Sequence, residues 1–213
     1  MVTMHSHDLI QEQVLTSIPA EERKQLHHNI GVALASKTPL DIRTEHRPID
    51  AALDQLYLSG DGSGTVNEND SIDVSMLIRI ATSQINNAGP DFFVEAQRTR
   101  FASWNLRAGN LEVAEHSSFR AALYYYQDGI SFLGDKCGDG QLWLRDDTLY
   151  ELRLKLYEGA AFSSSALGEA GLVSKYANVI IANVEFEDSL QAEHLLIGSL
   201  SATGQYKEAV ARG

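Results

Sequence analysis

From residue 72 onward, apolar side chains recur every three or four positions. Ile72, Met76, Leu77 and Ile80 open the series, and Leu149, Leu152, Leu156 and Ala160 carry it on. That spacing lines up one face of an α-helix, whereas a strand would need alternation by twos. A chain patterned this way buries one stripe per helix, and short connections make consecutive helices antiparallel neighbours. The period predicts helices over 72–84, 91–108, 111–133, 143–162, 166–182 and 188–202, with another start at Gln205. Gly109-Asn110 is expected to part the second from the third, and the three glycines of 134–140 mark a loop. Val179-Ile180-Ile181 is β-branched, but its flanks fit a helix. Helix content is therefore expected to exceed the usual third of residues.

The N-terminal part repeats the pattern. Ile10, Val14 and Ile18 share a helical face. Pro19 can open a second helix, because its missing N–H would be unpaired in a first turn; Glu21 and Glu22 suit the positive end of the helix dipole. Leu26, Ile30 and Leu34 extend that helix to about Ser36, before Pro39. Residues 37–71 break the period. The run Ser59-Gly60-Asp61-Gly62-Ser63-Gly64-Thr65 is made of turn formers, and Asn67-Glu68-Asn69-Asp70 follows. A short helix over 49–58 fits inside this stretch, which otherwise reads as a linker or insertion. Three segments result: a helical tail over 1–36, the linker over 37–71, and helical repeats over 72–213.

An internal similarity supports the word repeat. Gly109-Asn110-Leu111-Glu112-Val113-Ala114 parallels Gly204-Gln205-Tyr206-Lys207-Glu208-Ala209, each with a large apolar residue two after the glycine and an alanine three further on. A glycine there would close one helix in a left-handed cap, and the alanine would let two helices approach closely. A degenerate central copy lies near Gly159-Ala160 and Ala166-Leu167-Gly168. Two ordinary glycine caps would give the same match. The expected fold class is all-α, with antiparallel helical hairpins stacked as a tetratricopeptide-like solenoid.

Composition narrows the function. The 213 residues carry a formal net charge of -12, which argues against nucleic acid or anionic lipid as partner. Hydrophobic residues make up 44%, enough for a packed core. The lone Cys137 excludes an internal disulfide. Met1-Val2-Thr3-Met4-His5-Ser6 lacks a signal-peptide layout, and the most apolar run, 179–186, is too short to span a bilayer. A cytoplasmic location is expected.

Motifs with chemistry are few. Residues 59–70 resemble a twelve-residue EF-hand calcium loop, with Asp61 and Ser63 at ligand positions, Gly64 at the sharp turn, Thr65 offering its carbonyl and Asp70 closing the loop. Ser59 replaces the first acid and Asp70 is shorter than Glu, so calcium would bind weakly; a flexible acidic linker is the plainer reading. His5, His7, His27, His28 and Cys137 lack the convergence of a zinc site. Asp146, Asp147 and Glu151 suit the start of a helix better than an acid–base pair. No spacing marks a catalytic triad, and no cofactor is expected. Trp104, Tyr124, Tyr125, Tyr126, Phe132 and Trp143 form an aromatic belt in which Tyr124 and Tyr126 are the candidate partner-binding residues.

Several segments together carry a family resemblance. His7, Asp8 and Gln11 lead into Ile18-Pro19, Glu21-Glu22-Arg23, Leu26-His27 and Ile30-Gly31. Gln84-Ile85-Asn86, Asn105-Leu106-Arg107-Ala108-Gly109 and the alanine- and tyrosine-rich helix over 121–134 follow. This order resembles the end of the predicted ATPase module, of the AAA/STAND type, in large hybrid histidine kinases and serine/threonine kinases, and it covers most of the chain apart from 37–71. The resemblance implies helical repeats that relay an ATP-driven switch to kinase or output domains through protein contacts. It also implies that the chain lies between a nucleotide site and a kinase, because Gly60 to Gly64 lacks the lysine of a phosphate loop and no other stretch supplies one. The expected function is a non-catalytic regulatory fragment. The alternatives are a part of an ATP-binding signalling kinase whose catalytic sites lie outside the chain, and a weak calcium-sensing module at 59–70.

Overall fold

Helix boundaries follow the caps more closely than the apolar period. The computed structural model describes residues 17–37, 74–134, 143 and 149–212. Among these, the regular elements are all helical: α1 (Ala20–Lys37), α2 (Val74–Ala88), a 3-10 turn (Pro90–Phe92), α3 (Glu95–His116), α4 (Phe119–Leu133), α5 (Tyr150–Ala166), α6 (Ala170–Asn183), α7 (Phe186–Ala202) and α8 (Tyr206–Arg212). The helix expected around Ile10 and the short one at 49–58 lie outside the described residues. So does the linker, except Lys37, which ends α1.

α2 shows the stripe in its plainest form: Ile78, Ala81, Thr82, Ile85 and Ala88 are buried, at helical spacings of three and four. α3 departs from expectation. It runs unbroken through Gly109-Asn110, and the chain turns instead at Ser117, in the left-handed region with φ 50°. There the Ser117 N–H donates to Val113 O (3.1 Å) and the Ser118 N–H to Glu112 O (3.0 Å). Gly109 is therefore no cap. The helix tolerates a glycine in its middle, at roughly 1 kcal/mol, because a neighbouring ring occupies the place of its missing side chain, as described below.

Gly168 and Gly204, by contrast, do close helices, at φ 72° and 77°. Glu169 N–H donates to Ser164 O and Gly168 N–H to Ser165 O (2.9 and 3.0 Å); Gln205 N–H donates to Leu200 O and Gly204 N–H to Ser201 O (2.8 and 3.1 Å). Both are Schellman caps, in which glycine takes the left-handed position without a Cβ clash. The two glycines stand 36 positions apart (204 minus 168). Gly204 thus shares its cap geometry with Gly168, and its match to Gly109 is one of sequence only.

Each helix packs on the next in the chain, from α1 on α2 to α7 on α8. α3 also meets α5, and α5 meets α7. The main apolar core runs the length of this arrangement, from Ala35 on α1 through Phe101, Phe132, Leu156 and Ile180 to Leu196 and Ala209. Phe93, Phe101 and Phe132 meet at centroid distances of 4.7–6.1 Å, two of the three pairs edge to face. Trp143 and Tyr176 each lie edge-on to Tyr157, at 5.4 and 6.0 Å.

Candidate functional site

The residues that carry the family resemblance meet at the joints between α1, α2, α3 and α4. Gly31 on α1 lies against Ile85 on α2 so closely that a Cβ would stand 2.8 Å from Ile85 Cγ1. His27 Nδ1 approaches Gln84 Oε1 at 2.7 Å, and the His28 ring packs 5.0 Å from that of Phe93. Asn86 and Asn105 exchange a pair of hydrogen bonds: Asn86 Nδ2 donates to Asn105 Oδ1 (2.7 Å), and Asn105 Nδ2 to Asn86 Oδ1 (2.9 Å). Asn105 is fully buried and spends its second amide hydrogen on Phe101 O (3.0 Å). Burial pushes the carboxyl of Asp128 on α4 up to about 6, against the nearby Asn86 amide, which favours the ionised form. Beside them, Arg79 pairs with Glu115 (2.6 Å) and Glu112 (3.6 Å), and the Tyr125 hydroxyl donates to Arg79 O (3.3 Å). Burial, with the nearby Glu112, holds that phenol above its ordinary range.

The second feature is the face shared by α3, α5 and α7. Tyr126, from α4, pushes its ring between α3 and α5. A Cβ on Gly109 would stand 2.5 Å from that ring, and one on Gly159 2.7 Å. The two glycines form the slot and the ring fills it, leaving Tyr126 3% exposed. Its hydroxyl donates to Asn110 Oδ1 (2.8 Å), and burial raises its pKa. Just beyond lies an open cleft of about 310 Å³, lined by Leu106, Asn110, Val113, Lys155, Glu158, Phe162 and Gln191 together with Tyr126 and Gly159. Glu158 is held above the usual carboxylate range by burial, a shift that Lys155 opposes and Asp188 reinforces. The lining is mixed, with Leu106, Val113 and Phe162 apolar and Asn110, Lys155, Glu158 and Gln191 polar.

The expected site residues divide. Asp61, Ser63, Thr65 and Asp70 lie outside the described residues, as do His5, His7, Cys137, Asp146 and Asp147. Tyr124 is 60% exposed on α4. Tyr126 is packed as described, so in this arrangement its ring presents no face to a partner and only its hydroxyl end reaches the cleft. Most of the aromatic belt is core: Trp104, Phe132 and Trp143 are buried with it. His27 on α1 bonds across to Gln84 on α2.

Asn110, Asp128, Lys155, Glu158 and Gln191 escaped the sequence reading. The signal for Asn110 was its place in the series Leu106, Asn110, Val113, spaced four and three along α3 and so on one face. Asp128 had a weaker one, an acid amid the apolar residues of α4. Neither spacing reveals which neighbouring helix completes the site. No protein-family model, curated protein or solved structure matches the chain.

Proposed function

We propose that this chain is a non-catalytic regulatory module of a signal-transduction ATPase of the AAA/STAND type, a tetratricopeptide-like stack of helical hairpins that relays through protein contacts. The observation that carries the reading is the meeting of α3 with α5 and of α5 with α7, which sets alternate helices side by side and forms one open face with the cleft in it. Stacked hairpins use such a face for partners. The 36-residue interval between the two Schellman glycines supports it, being close to the period of roughly 34 residues of such repeats. The placement of the resemblance residues supports it too. His27, Gln84, Asn86 and Asn105 fix helix–helix joints, the role expected of residues that transmit an orientation. The ends of the stack add apolar surface: Leu26 and Ile30 on α1, Phe186 and Leu190 on α7, Tyr206 and Val210 on α8 are all more than a third exposed. No described helix is long and apolar enough to cross a membrane, in keeping with a cytoplasmic module.

On this reading nucleotide binds elsewhere in the parent protein. Calorimetric titration of the chain with ATP and magnesium is expected to give no binding heat. A dissociation constant in the micromolar range would overturn it.

A further inference from the structure

The described arginines fall into two groups. Arg79, Arg98, Arg120 and Arg212 pair with carboxylates, Arg23 donates to Ile18 O, and Arg153 has a partner as well. Arg100 and Arg107 have neither a carboxylate nor a hydrogen-bond acceptor among the described residues. Arg100 lies over the Trp104 ring at 5.3 Å, and its Nε is buried without an acceptor. Arg107 is half-buried, and burial alone lowers its pKa. A desolvated guanidinium with nothing to bind costs stability, so an unmatched pair in a chain of net charge -12 calls for an explanation.

Their positions supply one. Arg100, Ser103, Arg107 and Asn110 are spaced three, four and three residues apart, so they form one stripe along α3. The stripe runs into the cleft, where Asn110 is part of the wall. Asn110 Oδ1 is taken by the Tyr126 hydroxyl. Its amide hydrogens remain to donate.

We infer that the Arg100–Arg107 stripe and the adjoining cleft bind an acidic polypeptide segment, with carboxylates on the two guanidiniums and an apolar side chain against Leu106, Val113 and Phe162. The inference rests on the proposed reading of this face as a contact surface, and names the chemistry of the partner. Seven helical residues separate the arginines by about 10 Å, a gap that about three residues of extended chain cover. Guanidinium forks match carboxylates two bonds at a time. The field of a strongly acidic molecule opposes any anion, and it disfavours a nucleic acid, with a charge on every nucleotide, more than a segment that carries a few carboxylates among uncharged residues.

The test uses fluorescence anisotropy at low salt. The probe is a fluorescein-labelled synthetic peptide with Glu at every third position around a central Leu; its control carries Gln in place of Glu. The Glu peptide is expected to bind at least about tenfold more tightly than the Gln peptide, and to weaken a few-fold as NaCl is raised through the physiological range. Arg100→Gln/Arg107→Gln is expected to lose at least about tenfold in affinity with no fall in thermal midpoint. Equal affinity of the double variant would overturn the inference, and so would a lowered midpoint with unchanged binding, which would mark the arginines as structural. Tighter binding of inorganic phosphate or of a short single-stranded DNA would reassign the stripe to phosphate. No binding of the Glu peptide up to millimolar concentration would also overturn it. None of these results touches the ATP titration, so the broader reading stands or falls separately.

Discussion

One apolar core runs through both halves of the molecule, and they differ in the polar contacts that join their helices. Around α1–α4 the joints are polar: His27 on Gln84, Asn86 on Asn105 and Asp128, Arg79 on Glu112 and Glu115. In α5–α8 Leu156, Val173, Ile180, Ala192 and Leu196 are buried, and so are the polar Arg153, Ser163, Ser164 and Ser189; Ser164 and Ser189 bond to backbone of their own helix, and polar contacts between helices join Tyr150 to Asp188 and Arg212 to Glu193. Apolar packing is non-directional and tolerates sliding, whereas a reciprocal amide pair is satisfied in one geometry only. The C-terminal half adds Schellman glycine caps between α5 and α6 and between α7 and α8. The N-terminal half fixes its geometry through buried hydrogen bonds between helices. The difference teaches where a change of helix orientation would break contacts discretely: at the polar joints.

The largest expected effect breaks the polar side of this comparison. Asn105→Leu keeps the branched shape of the side chain but takes the acceptor from Asn86 Nδ2 and the donor from Asn86 Oδ1. Leaving such buried groups unmatched costs about 2–3 kcal/mol. Leu196→Met, an apolar exchange of similar volume in the other half, is expected to cost less than about 1.5 kcal/mol. Urea unfolding monitored by circular dichroism measures both. Equal losses would mean that the two halves do not differ in the way described.

How much of this was legible beforehand depended on what each residue answers to. The helices were legible because Ile78, Ala81, Ile85 and Ala88 follow a period that any helix imposes. Gly109 was misread because a glycine in a helical pattern has two physical uses, closing a helix or making room, and the local sequence is the same for both. The deciding fact, the ring of Tyr126, comes from another helix. Asn86 and Asn105 stood out as parts of a resemblance, yet nothing in their spacing showed that they bond to each other across 19 positions. The cleft was illegible for the same reason, since its walls come from α3, α4, α5 and α7.

The glycine caps give the next effect. Gly168→Ala puts a Cβ on a residue at φ 72°, in open space, so the cost is backbone strain alone. A loss of about 1–2 kcal/mol is expected, and about the same for Gly204→Ala if the two caps are equivalent members of one repeat. Gly109→Ala sharpens the contrast, because its methyl would collide with the Tyr126 ring 2.5 Å away rather than strain a turn. The variant should regain stability when combined with a smaller residue at 126, since residues in contact are coupled. A Gly168 variant has no such partner, and a double-mutant cycle with Tyr126→Leu separates the two cases. Coupling at Gly168 as strong as at Gly109 would contradict the assignment of roles.

Asp128 gives the smallest effect and the most specific one. Its folded pKa of about 6 lies above the ordinary 3.8, so between those values the folded chain holds a proton that the unfolded chain has released. The sign follows: on this group's account stability rises as pH falls through 6 toward 3.8, and at neutral pH the ionised, partly buried carboxylate is a cost. Asp128→Asn removes the charge while keeping an oxygen to accept from Asn86. At pH 8 a gain of about 1 kcal/mol is expected, less than the full shift would give because solvent partly reaches and screens the group. Near pH 4.5 the gain should largely vanish, since the natural side chain is then protonated in the folded state. Paired urea titrations at the two pH values test this, and a difference between variant and parent that is the same at both would remove Asp128 from the joint. The comparison behind it is sharpened by Glu158, the other buried acid raised by desolvation, which faces the cleft and has Lys155 beside it to oppose the shift. Glu158→Gln should likewise gain more at pH 8 than near pH 4.5, since burial and Asp188 raise that carboxyl against Lys155.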